Sequence, residues 1–323
     1  MRAIQIKETG GPEVLQVAEI EPPVAGPGEL LIEVAAAGVN FIDTYQRSGL
    51  YPITLPLVLG LECAGTVRAV GPDVTLHKVG DRVALADGSG SYAEMRTANA
   101  NRCVAIPDDV TFEHAAAAML QGMTAHYLGV DTYPLGEGDR CLIHAGAGGT
   151  GRLLIQIAKR AGAEVFTTVG TDAKADHAAS AGADHVINYN TSNFAESIRS
   201  ITGEDRPLDV VYDGVGASVF QESMGLLRPR GLMATFGNAS GPVPGVSPLE
   251  LMSGGSLYLT RPALGNYIAT REDLVARASD VFARIGAGTL EITIGAKYSL
   301  EDAGQAHRDL ESRSTTGKLL LVP

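Results

Sequence analysis

The sequence predicts an α/β protein in which a doubly wound parallel sheet is inserted into a β-rich domain. Three observations carry that expectation. A Gly-rich run, His144 to Gly151, sits where an apolar strand pattern gives way to a helical one; strands and helices alternate after Asp139; and short strand patterns punctuated by Gly and Pro fill the chain up to Pro107. At 323 residues the chain suits two domains at roughly 150 residues each. The texture changes place a first part of the β-rich domain at 1–123, the doubly wound domain at 124–264, and a return to the first domain over 265–323.

In chain order, Met1 to Lys7 alternates as a strand does. Val14 to Ile20, Leu30 to Val39, Gly65 to Val70 and Arg82 to Leu85 read as further short strands. An Ala-rich helix follows from Phe112 to Leu128. The doubly wound sheet is expected to use six strands: Arg140 to Ala145, Glu164 to Val169, His185 to Asn188, Asp209 to Asp213, Gly231 to Phe236 and Ser256 to Thr260. Apolar residues at helical spacing then mark Leu274 to Ile285 and Glu301 to Leu310, and Lys318 to Val322 reads as a closing strand.

The Gly-rich run is the most informative feature. Cys141, Leu142 and Ile143 form the apolar strand before it, and Leu153, Leu154, Ile157, Ala158 and Ala161 recur at helical spacing after it. Glycines at such a turn let backbone N–H groups at a helix N-terminus approach a diphosphate with no Cβ in the way, and the helix dipole favours the anion. Gly148, Gly149, Thr150 and Gly151 are therefore candidate cofactor residues. Gly214 and Val215 after the fourth strand, and Phe236 and Gly237 after the fifth, fall at carboxyl ends of strands, where a dinucleotide lies in such sheets.

The end of the second strand discriminates between cofactors. An acidic residue there binds the adenine ribose of NAD, whereas this chain has Val169-Gly170-Thr171. With no carboxylate to repel a 2′-phosphate and Lys174 close behind to neutralise one, the sequence favours NADPH. Asp172 competes, but it lies beyond the strand end, where a first-turn carboxylate commonly serves only the helix dipole.

Composition narrows the function classes. A formal net charge of -12 without a Lys/Arg cluster argues against a nucleic-acid partner and for a small-molecule substrate. No apolar run is long enough for a membrane span or a signal segment. Cys63, Cys103 and Cys141 lie in apolar surroundings and read as buried thiols in a reducing compartment, so the cytoplasm is expected.

Gly138-Asp139, Leu142, Gly146 to Gly151, Gln156 and Lys159 together resemble the signature of the zeta-crystallin-like quinone oxidoreductases, within the medium-chain dehydrogenases/reductases. Gly38-Val39-Asn40-Phe41-Ile42-Asp43, Gly60 to Gly65, Ile187-Asn188-Tyr189, Val211 to Gly216 and Ser256 to Pro262 extend the likeness along the whole chain. The resemblance implies a GroES-like catalytic domain, a Rossmann domain binding NADPH, a cleft between them, and a homodimer joined through the edge of the Rossmann sheet. It also implies that Lys174, Tyr189 and Arg313 handle the 2′-phosphate, that Asn40, Tyr45 and Thr124 lie near the nicotinamide, and that Gly149, Thr150, Gly170 and Thr171 line the cofactor.

Zinc-dependent members of that superfamily place a Cys and a His where this chain has Asn40 and Leu61, and they carry a four-Cys lobe that is missing between Gly88 and Ser91. Neither an amide nor a leucine replaces a thiolate or imidazole, so no metal is expected. A quinone is electrophilic enough to need mainly orientation, with Asn40, Tyr45 and Tyr51 as candidates for the chemistry. Transfer is expected as a hydride or as single electrons. Two alternatives remain. One is an enone or 2-enoyl reductase with Tyr51, in Gly49-Leu50-Tyr51-Pro52, as proton donor. The other is an NADPH-binding structural or RNA-associated protein.

Overall fold

The computed structural model describes all 323 residues, Met1 to Pro323. They divide into two units, Met1–Met123 with Ile268–Pro323, and Thr124–Tyr267.

The first unit is built on a seven-stranded sheet. At its centre β1 (Glu29–Val39) is flanked by β2 (Glu62–Val70), by Met95–Asn99 and by the last strand of the chain, Lys318–Val322. Along β1, Leu30, Ile32 and Val34 are buried at every second position, as a strand with one face on the core requires. They pack with Ile4, Leu85, Tyr92, Leu319 and Leu321. The closing strand pairs antiparallel with β1, Leu320 opposite Gly38, so the C-terminal segment completes this unit. Directly after β1 the chain turns into α1 (Phe41–Ser48). Asp43 starts the helix by accepting the Asn40 N–H at 2.8 Å, and Gly49, at φ 83°, ends it.

The second unit is a six-stranded parallel sheet. Its strands are β3 (Arg140–Ile143), β4 (Glu164–Val169), β5 (His185–Asn188), β6 (Leu208–Asp213), β7 (Leu227–Thr235) and β8 (Tyr258–Thr260), in the order β5-β4-β3-β6-β7-β8. Order reverses between β3 and β6, the switch point at which such sheets bind ligands. Leu142, Phe166, Val211 and Met233 form its core. The helix α2 (Gly149–Ala161) follows β3, and α3 (Asp172–Ser180) follows β4.

All six strands of the doubly wound sheet fall where the sequence places them, with shifts at their ends. β3 stops at Ile143 rather than Ala145, because Ala145 takes φ 57° to start the turn. β7 begins four residues earlier than expected. The strand expected over Val14 to Ile20 forms over Gln16–Glu19, because Val14 closes a 3-10 turn, Pro12–Val14, whose first position is a proline with fixed φ. The helix expected from Phe112 spans Phe112–Tyr127 and passes into a wider turn, Leu128–Thr132.

Candidate functional site

The turn after β3 has the geometry that a diphosphate needs. Ala145 carries the positive φ, Gly146 N–H donates to Thr168 O at 3.1 Å, and Gly148 N–H returns to Ala145 O at 2.9 Å. A Cβ on Gly146 would collide with Thr167 Oγ1, and one on Gly151 with the Ala145 carbonyl. Helix α2 therefore starts hard against the turn. Its N-cap is Gly148, with no side chain capping the first turn, so the N–H groups of Gly149, Thr150 and Gly151 are left for an anion.

At the end of β4, Gly170 and Thr171 lead into α3. Thr171 Oγ1 accepts the Lys174 N–H at 3.3 Å, which puts Lys174 in the first helical turn. Tyr189, at the end of β5, is 44% exposed, and its hydroxyl lies so near Gly170 that a Cβ there would be 2.6 Å from it. Gly170, Thr171, Lys174 and Tyr189 thus gather at two adjacent strand ends. The competing Asp172 accepts a hydrogen bond from Asn188 Nδ2 at 2.8 Å.

The ends of β6 and β7 meet in a third turn. Asp213 Oδ1 accepts the N–H groups of Val215 and Gly216 at 2.7 and 2.9 Å, and Asp213 O accepts that of Phe236 at 2.7 Å. Burial pushes the Asp213 carboxyl up, opposed by those backbone donors. A Cβ on Gly237 would strike the Gly214 carbonyl, and Arg261 Nη1 donates to Gly237 O at 3.0 Å. Asp213 and Arg261 shape this turn; the sequence places both within the motifs Val211 to Gly216 and Ser256 to Pro262 but assigns neither to the site. His144 is buried between Thr168 Oγ1 (2.9 Å) and Ser223 Oγ (2.8 Å), and burial lowers its pKa to about 3, which keeps it neutral. It is a hydrogen-bonded packing group.

In the first unit, Asn40 is the centre of a buried polar cluster. Its Nδ2 donates to Glu62 Oε1 at 2.7 Å and, more weakly, to Gly38 O at 3.4 Å. Its Oδ1 accepts from Lys318 Nζ at 2.7 Å and from Gln121 Nε2 at 3.1 Å. Lys318 also pairs closely with Glu62 Oε1, and Glu62 Oε2 accepts the Leu120 N–H at 2.6 Å. Asp43 Oδ2 joins the cluster through the Asn40 N–H and takes a hydrogen bond from Tyr92 at 2.8 Å. Burial pushes the Asp43 carboxyl up to about 7 against the pull of Tyr92, Asn40 and Lys318. From Tyr92 the network continues to His307 Nε2 at 3.2 Å and then to Arg47 at 3.1 Å. His307, lowered to about 3 by burial and by Arg47, is neutral. With Arg47 donating into Nδ1, its proton is assigned to Nε2.

Tyr45 and Tyr51 meet edge to face at 5.3 Å, joined by a hydrogen bond from Tyr51 N–H to Tyr45 O at 3.0 Å. Tyr45 is buried and Tyr51 half-buried. Arg313 is exposed in the first unit, at φ 56° just after a short helix, Ala303–Glu311. Thr124 is buried in the second unit, near the end of the helix Phe112–Tyr127.

The residues present do not fit a zinc ion. Asn40 Oδ1 and the Glu62 carboxylate are both engaged by the Lys318 ammonium, Leu61 has no donor atom, and burial raises the Cys63 thiol pKa. No group of three or more His, Cys, Asp or Glu residues is arranged to hold a metal.

A β-rich unit joined to a doubly wound sheet with a Gly turn at β3 defines the alcohol-dehydrogenase-like class. Two family profiles agree: the alcohol dehydrogenase GroES-like domain matches residues 26–135, and the zinc-binding dehydrogenase profile matches residues 149–280. Among curated proteins, the quinone oxidoreductase of Pseudomonas aeruginosa is 45% identical, covering 100% of this chain and 99% of its own. A 2-haloacrylate reductase from a Burkholderia species is 39% identical, covering 99% and 98%. Among solved structures, the Escherichia coli quinone oxidoreductase complexed with NADPH superposes with a TM-score of 0.97 at 44% identity, covering 100% of both chains. The chain belongs to the quinone oxidoreductase family of this superfamily.

Proposed function

We propose that this protein is an NADPH-dependent quinone reductase. The observation that carries the reading is its match, end to end, with an E. coli quinone oxidoreductase solved with NADPH. The turn after β3 and the carboxylate-free end of β4 fit that cofactor chemically. In the net reaction, quinone, NADPH and one proton give hydroquinone and NADP⁺.

Bound NADPH supplies the hydride. The uncapped N–H groups at the start of α2 would bind the diphosphate, Lys174 and Tyr189 would take the 2′-phosphate, and Gly170, Thr171, Gly214, Val215, Phe236 and Gly237 would line the remainder. Asn40 in the first unit is the candidate for the nicotinamide end, as Thr124 is in the second. Both amide hydrogens of Asn40 are directed to protein acceptors, strongly to Glu62 Oε1 and weakly to Gly38 O. Tyr45 and Tyr51 are the polar groups offered to the acceptor, and no step needs a metal. Holding the acceptor in a near-attack geometry supplies most of the acceleration.

Reduction of a conjugated carbon–carbon double bond, with Tyr51 giving the proton to the α-carbon, is the second reading. It is favoured by the likeness to a 2-haloacrylate reductase, whose named substrate is an α,β-unsaturated acid. NADPH oxidation, followed by the loss of nicotinamide absorbance over a panel of benzoquinones, naphthoquinones and enones, separates the two. Fast turnover of quinones is expected; turnover of enones with inert quinones reverses the ranking.

The same preparation is expected to be a homodimer. β8 is an edge strand, and exposed Tyr258 on it and Leu249 and Met252 on the helix Pro248–Ser253 supply an apolar border for a second copy. Light scattering at the monomer mass of 33.6 kDa would exclude that assembly. Three free, buried cysteines suit a reducing compartment, the cytoplasm.

A further inference from the structure

The Asn40 carboxamide could in principle be turned over, exchanging its oxygen and its NH2 group. Two buried charges forbid this. Lys318, 2% exposed, presents its ammonium to Oδ1, and Glu62, fully buried, presents a carboxylate oxygen to Nδ2. In the turned-over amide, NH2 would face the ammonium and the oxygen would face the carboxylate, so both contacts would be repulsive. The ion pair therefore acts on Asn40 as an oriented dipole acts on a smaller one.

Stability alone does not account for such a pair. Replacing a buried ion pair by neutral groups of similar size is often neutral or even stabilising, whereas an ammonium and a carboxylate penalise the turned-over amide more than neutral partners would. Gln121 cannot substitute for Lys318 in this. It reaches the same Oδ1 at 3.1 Å, but its own Oε1 is buried without a hydrogen-bond partner, so it is itself incompletely held.

We propose that Lys318, paired with Glu62, is a positioning residue for the reduction: it fixes the orientation of the Asn40 carboxamide at the edge of the reacting site. The contacts of the ammonium are Asn40 Oδ1 and Glu62 Oε1, and it acts through Asn40. The proposal rests on the reading of the protein as an NADPH-dependent reductase with Asn40 beside the nicotinamide.

The test uses the full-length double variant Lys318→Met/Glu62→Gln, which removes both charges while keeping side-chain length. It is expected to unfold within a few degrees of wild type, bind NADPH within about twofold, and lose at least tenfold in kcat on a soluble benzoquinone with little change in KM. The Asn40 side-chain amide, followed by ¹⁵N NMR without cofactor or acceptor, is expected to exchange slowly in wild type and quickly in the double variant. Wild-type kcat in a folded double variant overturns the proposal, as does unchanged exchange at Asn40. Should the double variant not fold, Asn40→Ala decides: it leaves the ion pair intact and is expected to lose kcat to a similar extent, and full activity there overturns the proposal because Lys318 would then have nothing to position. A wild-type protein inert towards every acceptor refutes the assigned reaction, while the exchange measurement still decides the orientation of Asn40.

Discussion

The buried polar groups around Asn40 in the first unit and those beneath the Gly turn in the second are held in different ways. In the first, Arg47, Asp43, Glu62 and Lys318 lie below the surface around Asn40, and charge sets their geometry. In the second, the groups beneath the Gly turn are neutral: His144, Thr167, Thr168 and Ser223 satisfy one another and the backbone. The turn after β3 gets its shape from glycines that no Cβ could replace and leaves the N–H groups of a helix start uncapped, whereas the turn joining the ends of β6 and β7 is also held by the Asp213 carboxyl and by Arg261. The difference teaches where each kind of precision comes from. A binding surface for a diphosphate is made from backbone, whereas holding one side chain in one of two near-isosteric orientations takes fixed charge.

The largest test of that contrast removes one charge and leaves its partner. Lys318→Met strands the Glu62 carboxylate in the interior, which typically costs about 3–5 kcal/mol. Urea unfolding should show that loss, and adding Glu62→Gln should restore most of it. Were the single variant as stable as wild type, the charge in this unit would not be setting its geometry.

This division also explains what could be read from the sequence. All six strands of the second unit were legible because parallel strands buried on both faces are short, dense apolar runs, and the Gly turn sits at a fixed place between the first strand and its helix. Four strands of the first unit went unread: Leu57–Val58, Met95–Asn99, Val104–Ala105 and Ile294–Ser299. The first and third have two residues each, and Ile294–Ser299 is only half-buried, so no clean alternation marks them. Within the site, Asn40 was visible as the residue at a lost zinc-ligand position. Lys318 was not. It opens an ordinary closing strand, and its partners at 40 and 62 lie more than 250 residues away, where no local pattern can announce them.

pH sharpens the comparison next. His144 is held neutral with a pKa of about 3 against about 6.5 unfolded, so the unfolded chain binds the extra proton and stability falls as pH drops below about 6.5. Asp43 works the other way. Its pKa of about 7 lies above the unfolded value of about 3.9, so its contribution is full at low pH and is lost as pH rises towards 7. Each group acts with a slope of about 1.4 kcal/mol per pH unit between roughly pH 4 and 6.5. His144→Gln should flatten the acid loss of stability and Asp43→Asn should steepen it, as read by denaturant unfolding at pH 5 and 6.5. Equal profiles for the two variants would mean that burial does not shift the two groups in opposite directions relative to the unfolded chain.

The smallest expected effect lies at the surface of the backbone-built unit. Lys174 stands in the first turn of α3, where Gly170 and Thr171 leave no carboxylate at the strand end and Asp172 is held by Asn188. If the backbone supplies diphosphate binding and Lys174 only the 2′-phosphate, Lys174→Ala should weaken NADPH about tenfold, roughly 1.4 kcal/mol, while changing NADH less than about twofold. Fluorescence titration of both nucleotides measures the ratio. Equal losses would mean that the lysine contributes a general field rather than a contact, and that discrimination between the cofactors comes from Tyr189 against Gly170, or from Arg313, whose exposed position lets it be tested by the same titration.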